Sequence, residues 1–281
     1  MREFRGVGRA QASRARPKGG TSPLKFRGVG RAQASRARPT GGKSPLNSGA
    51  TRVAVAIVLA GVAAGAFAWF GTPDTADVQS RVASLAAAHK VSVLSPSEVP
   101  SLLALAVVAT EDERFYSHYG IDIPGLVRAA LNDFQLACFC EGGSTITEQL
   151  AKEVYLHNSD AGWNKFADVV IAFKIENVLD KPRILADWLT LAPTGPTLYG
   201  VGPTACTYFG RPLGSLDLAQ YAVLAGLPQS PVLDDPLIHP EAALRRRAHV
   251  LDAMVAHGYV TAAEAAASKA EPLLPTTRLD C

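Results

Sequence analysis

Acidic residues are nearly missing from the first fifth of the chain: residues 1–52 hold 13 Lys and Arg against a single acid, Glu3. The remainder reverses the balance, with 15 basic and 24 acidic residues. A basic tail on an acidic body excludes a nucleic-acid-binding fold spread over the whole chain, and no nucleic-acid partner is expected. The tail also lacks an apolar stripe. FRGVGRAQASRARP at Phe4–Pro17 recurs at Phe26–Pro39 with a period of 22 residues, and two such copies cannot stack as a solenoid. Residues 1–47 therefore read as a disordered tail whose arginines meet anionic lipid headgroups. Charge is then absent altogether from Val53 to Gly71, a run of 19 residues. At helical rise that run spans roughly 28 Å, about one bilayer core. Ala-x-Ala sites inside it leave cleavage open, but its length favours an uncleaved anchor over residues 48–71. The positive tail places residues 1–47 in the cytoplasm and residues 72–281 outside, on a single-pass protein of the cytoplasmic membrane. Trp69 and Phe70 would then lie at the outer interface.

Four cysteines fit an oxidising compartment without establishing a disulfide framework. Cys138 and Cys140 are too close to pair comfortably, and a Cys206–Cys281 bridge is left open. No metal-ligand spacing occurs. Ser22-x-x-Lys25 resembles the start of a penicillin-binding signature, but no Lys-Thr-Gly follows and the match is chance. No run of alternating strands appears either. Helices are expected instead over residues 102–110, 123–134, 144–155, 163–179, 183–191, 217–227, 240–257 and 261–270. The last opens with Thr261 and Glu264, a capping box. The body, residues 72–281, is thus predicted to be mainly α.

Two clusters carry candidate chemistry. Glu111-Asp112-Glu113-Arg114-Phe115-Tyr116-Ser117-His118-Tyr119-Gly120 follows an apolar helix directly. A carboxylate at such an edge, part apolar and part open, can have a raised pKa and act as a general base. Gly142-Gly143-Ser144-Thr145-Ile146-Thr147-Glu148-Gln149-Leu150-Ala151-Lys152 places glycines before a helix start, where backbone N–H groups face an anion. Gln149 and Lys152, three apart, share a helix face.

Together these motifs resemble glycosyltransferase family 51, the transglycosylases of penicillin-binding proteins and of monofunctional peptidoglycan polymerases. Glu-Asp-x-x-Phe-x-x-His-x-Gly is matched by Glu111, Asp112, Phe115, His118 and Gly120. Gly-Gly-Ser-Thr-Ile-Thr-Gln-Gln-Leu-x-Lys-Asn is matched apart from Glu148 and Glu153. The likeness runs from about Val78 to Ala270. It implies a mainly α, lysozyme-like transglycosylase domain with a hydrophobic flap near the membrane, beside the one N-terminal transmembrane helix. It also implies the reaction: lipid II is polymerised into glycan strands when an acceptor 4-hydroxyl attacks the donor C1 and undecaprenyl pyrophosphate leaves. By the same likeness Glu111 is the base and Asp168 the second catalytic carboxylate. Substrate would be held by Asp112, Ser144, Thr145, Gln149, Lys152 and Lys165, with Phe115 and His118 shaping the loop. The implied partners are lipid II, the growing strand, the membrane and cell-wall synthesis proteins. No cofactor is required, although a divalent cation, Mg²⁺ or Mn²⁺, could assist at the pyrophosphate.

Later motifs depart from the family pattern. Arg-Lys-x-x-Glu falls on Asn164-Lys165-Phe166-Ala167-Asp168, which shortens the glutamate by one methylene, roughly 1.5 Å. Ile-Leu-Glu-x-Tyr-Leu-Asn becomes Ile184-Leu185-Ala186-Asp187-Trp188-Leu189-Thr190, and an arginine is replaced by Asp160. Since about 1 Å of misplacement can cost about a hundredfold in rate, a weakened or silent member that binds lipid II or a synthesis partner is the alternative reading. Glu148, four residues before Lys152, is expected to form an i,i+4 ion pair and to repel an anionic leaving group. On that reasoning Glu148→Gln should speed polymerisation at low divalent-cation concentration.

Overall fold

The computed structural model describes residues 48–128, 143–156 and 164–273, apart from the side chains of residues 48–50 and Lys165. The basic tail, position 160, the Lys165 side chain and Cys138, Cys140 and Cys281 lie outside that description. Cys206 is disulfide-bonded. Chain contacts divide the protein between Thr51 and Arg52, and only residues 48–51 of the first unit are described.

Helix α1 (Ser48–Gly71) is the apolar run. Its window Thr51–Gly71 has a mean hydropathy of 2.3, none of it is buried, and it is long enough to cross a membrane. Lys174 closes its C-terminal end: Nζ donates to Trp69 O in the last turn at 2.7 Å, a carbonyl that no helical N–H reaches, and to Thr72 O and Pro73 O just past the helix at 2.9 and 3.0 Å. The same ammonium lies 5.0 Å from the centre of the Trp69 ring.

The rest is helical, and only isolated β-bridges occur among the described residues. In order come α2 (Val78–Ala88), α3 (Ser101–Glu111), α4 (residues 123–128) and α5 (Ile146–Tyr155). Then follow α6 (Asn164–Glu176), α7 (Lys181–Leu191), α8 (Val201–Phe209), α9 (Leu218–Gly226), α10 (Pro240–Ala256) and α11 (Ala262–Ala270). Helices α2 and α8 were not anticipated from sequence. Asp180 caps α7 through the Arg183 N–H at 2.9 Å, Asp217 caps α9 through that of Gln220 at 2.9 Å, and Thr261 and Glu264 close the expected box on α11.

Helix α3 is apolar on nearly every side because it is buried on nearly every side: it packs against α9 and α10, while α5 packs against α6 and α7. Leu103 and Val107 from α3, Ile146 and Leu150 from α5, Ile171 and Ile175 from α6, Ile184 and Leu189 from α7, and Leu224 and Leu251 share one core. Two positions of the departed motif tie α7 into this frame. Buried Asp187 accepts from Gln79 at 2.5 Å and from Arg183 Nε at 2.8 Å, and Thr190 accepts the Leu94 N–H at 3.0 Å.

Candidate active site

Helix α3 ends at Glu111, which lies where α5, α7 and α10 converge. The Glu111 carboxylate accepts from Gln149 Nε2 on α5 at 3.1 Å and from an Arg246 guanidinium nitrogen on α10 at 3.2 Å. Arg246 is fixed in turn by its Nε, which donates to Gly226 O at 3.0 Å. Gln149 Oε1 accepts from the indole N–H of Trp188 on α7 at 3.2 Å. Only 11% of the Glu111 side chain meets solvent. Burial pushes its carboxyl above the ordinary glutamate value, while the Gln149 hydrogen bond and the Arg246 charge pull partly back. A buried carboxylate that keeps one cleft-facing edge is the state a general base needs.

Two cavities share lining residues here, and Glu111 borders the larger. One, about 640 Å³, is lined by Glu111, Asp122, Leu126, Ser144, Arg246 and His257 among others. The other, about 310 Å³, is lined by Ser144, Gln149, Lys152, Trp188, Pro193 and Gln229 among others. Ser144 and Gln229 border both.

The other motif residues hold the site's shape, and Asp112 does so although it also borders the larger cavity. Asp112 is buried, accepts from His118 Nε2 at 2.9 Å and from the Ile146 backbone N–H at 3.0 Å, and so joins the loop after α3 to the start of α5. Arg114 closes the same loop on Asp122 at 2.6 Å, and Phe115 is wholly buried beneath it. Gly120 takes φ +77°, and a Cβ there would come within 3.0 Å of the Phe173 backbone nitrogen, so this position needs glycine. Its N–H donates to Glu176 at 2.9 Å, and its carbonyl accepts from Thr145 Oγ1 at 2.7 Å.

The second motif divides its work the same way. Ser144, Gln149 and Lys152 line cavity space. Thr145 borders the larger cavity, but its hydroxyl serves as the α5 N-cap, accepting the Glu148 N–H at 3.1 Å. Glu148 returns the contact, its carboxylate accepting the Thr145 N–H at 3.1 Å. This capping box overturns the reading of Glu148 as a rival for the pyrophosphate. The side chain is 3% exposed and turned to the helix start, not to the cleft. Glutamine closes the same box, so Glu148→Gln should leave the metal dependence of polymerisation unchanged and move stability by under about 1 kcal/mol. A faster variant at low Mg²⁺, in a titration of initial rate, would reinstate the repulsion.

Asp168 is 1% exposed and lines neither of these two cavities. The sequence reading missed Arg246. It lies within Arg245-Arg246-Arg247, and successive residues on a helix turn by about 100°. Arg245 accordingly faces solvent and Arg246 the cleft. Arg247 is buried against the carbonyls of Lys269, Glu271 and Pro272.

Among known proteins, a family model described as transglycosylase matches residues 78–255. Penicillin-binding protein 1A of Vibrio cholerae is 41% identical over 182 residues, covering 65% of this chain and 22% of that protein. Penicillin-binding protein 1A of Aquifex aeolicus is 38% identical over 185 residues, covering 66% and 26%. The match thus spans about a quarter of these curated relatives. A crystal structure of penicillin-binding protein 1A from Haemophilus influenzae aligns with a TM-score of 0.38 at 22% identity, covering 67% of this chain and 18% of that one. With well over half its length accounted for by the family model, the chain belongs to the transglycosylase family.

Proposed function

We propose that the protein is a peptidoglycan glycosyltransferase that polymerises lipid II on the outer face of the cytoplasmic membrane. The observation that carries this reading is Glu111, a buried carboxylate with a raised pKa that borders the larger cavity and accepts a hydrogen bond from Gln149 on the wall of the smaller one. In the reaction Glu111 takes the proton of the acceptor 4-hydroxyl as that oxygen bonds to the donor C1. The bond from C1 to the pyrophosphate oxygen breaks, the carbon inverts, and undecaprenyl pyrophosphate departs with both electrons. Lys152, Ser144 and Gln149 border the smaller cavity and suit the pyrophosphate end of the donor. The larger cavity suits the acceptor sugars. Gln149 would therefore act on both sides, bordering donor space and donating to the base. Asp112 and Thr145, on the wall of the larger cavity, would support the site through their buried hydrogen bonds. A divalent cation, Mg²⁺ or Mn²⁺, would sit on substrate pyrophosphate oxygens, and no protein cage for it is part of this reading.

The test is whether the purified full chain turns labelled lipid II into chains that a muramidase cuts. Because the base must lose its proton first, the acid limb of kcat/KM against pH should sit above the ordinary glutamate value. That Asp168 is buried and lines neither cavity favours a second reading, a member that binds lipid II without polymerising it. Binding without muramidase-sensitive product would establish that alternative.

Orientation is tested separately. The basic tail and the apolar helix α1 support a cytoplasmic N-terminus. Protease added outside cells with permeable outer layers should digest residues 72–281 and spare residues 1–47. Digestion of the tail alone would reverse the assignment.

A further inference from the structure

Trp188 borders the smaller cavity with one edge, yet it is only 4% exposed. Apolar residues Leu150, Leu191, Ala192, Pro193 and Pro228 make up half of the remaining lining. A buried indole N–H needs an acceptor, and here it donates to Gln149 Oε1 at 3.2 Å. That contact determines which end of the amide is which. With Oε1 turned to the indole, the NH₂ end must face Glu111, and it donates to the carboxylate at 3.1 Å. A flipped amide would set an oxygen against the carboxylate and an NH₂ group against the indole N–H, two repulsions in place of two hydrogen bonds. On the other side Arg246 holds the second carboxylate oxygen at 3.2 Å, so the base is gripped at both ends.

We propose that Trp188 is a positioning residue of the base, acting through Gln149: it locks the amide so that Gln149 always donates to Glu111, fixing the carboxylate edge presented to the acceptor hydroxyl. The proposal rests on the reading of Glu111 as the general base. Gln149 would then serve the base as well as the donor, and Trp188 would influence the chemistry without touching the reacting atoms.

Trp188→Phe keeps a large ring but removes the N–H, leaving the Gln149 amide free to turn. The carboxylate then loses a donor that favours its charged form, so its pKa rises. In full-length protein in detergent micelles, ¹³C-labelled at glutamate side-chain carboxyls and assigned with Glu111→Gln, the Glu111 signal should titrate higher in Trp188→Phe by about half to one pH unit. The acid limb of kcat/KM should move up by the same amount. The rate at neutral pH should fall a few-fold and recover as pH rises, which a merely loosened fold would not do. In a Gln149→Ala background, Trp188→Phe should shift neither quantity further. An unmoved Glu111 titration, or an equal extra shift in that background, overturns the relay. Should Trp188→Phe not fold, Gln149→Ala alone must raise the Glu111 titration, and failure to do so has the same force. If the wild-type protein makes no polymer, the proposed activity fails, while the carboxyl titration still decides the relay.

Discussion

Glu111→Gln is expected to lower lipid II polymerisation by about 10²–10⁴-fold, the usual contribution of a positioned general base. Glutamine keeps the size of the side chain and one carbonyl acceptor, but it cannot take the proton of the attacking hydroxyl. Gln149 and Arg246 donate to different carboxylate oxygens, so the variant keeps an oxygen for one of them and sets an NH₂ group against the other. The burial that raises the Glu111 pKa penalises the charged form, so removing the charge offsets part of the cost of the lost contact. Thermal stability should therefore fall only modestly, and lipid II binding should persist. The measurement is initial rate and equilibrium binding on the same preparation. A wild-type rate would move the base elsewhere, whereas loss of both rate and binding would make Glu111 a ligand.

Asp112→Ala should act on stability in the first place, although Asp112 adjoins the base and was expected from the family likeness to hold substrate. Its oxygens serve the His118 ring and the Ile146 N–H, and both of those groups are buried or nearly so. Removing the carboxylate strands two donors that water reaches poorly. His118 Nδ1 already has no hydrogen-bond partner among the described residues, so the ring has little to fall back on. Each stranded group costs about 1–3 kcal/mol, and about 2–4 kcal/mol for the pair is expected after relaxation. For a domain of this size that corresponds to a fall of roughly 5–15 °C in Tm. Asp112→Asn, which keeps one oxygen, should lose less. Calorimetry separates the outcomes: an Asp112→Ala protein as stable as wild type but weak in lipid II binding would make Asp112 a substrate contact.

Much of this protein could be read along the chain because the signals are local. Seven expected helices, from Leu102–Thr110 to Thr261–Ala270, recur within a few residues, and an eighth is described only over residues 123–128, since apolar periodicity and caps act over one or two turns. The box at Thr145 and Glu148 was equally local. Its pattern stood in the sequence, but only the i,i+4 relation to Lys152 was read from it. An N-cap contact contributes about 1 kcal/mol, against about 0.3–0.5 kcal/mol for an i,i+4 ion pair in water. Helix α2 was missed because Val78, Val82 and Ala86 form only a thin stripe among small and polar residues, and α8 because glycine and proline interrupt its opening.

By itself, then, the sequence determined the apolar span, the helical class, the two motifs and the candidacy of Glu111, since each is written in neighbouring residues. Tertiary structure alone decided which motif side chains face the cleft and which face inward. Asp112, Thr145 and Glu148 spend their side-chain oxygens on contacts inside the protein, although Asp112 and Thr145 also border the larger cavity, while Ser144, Gln149 and Lys152 border the smaller one. It also brought Arg246, 135 positions along the chain, onto the carboxylate of Glu111. The physical reason is that a hydrogen bond depends on where two helices cross, and that crossing is set by packing of the whole core rather than by spacing along one segment.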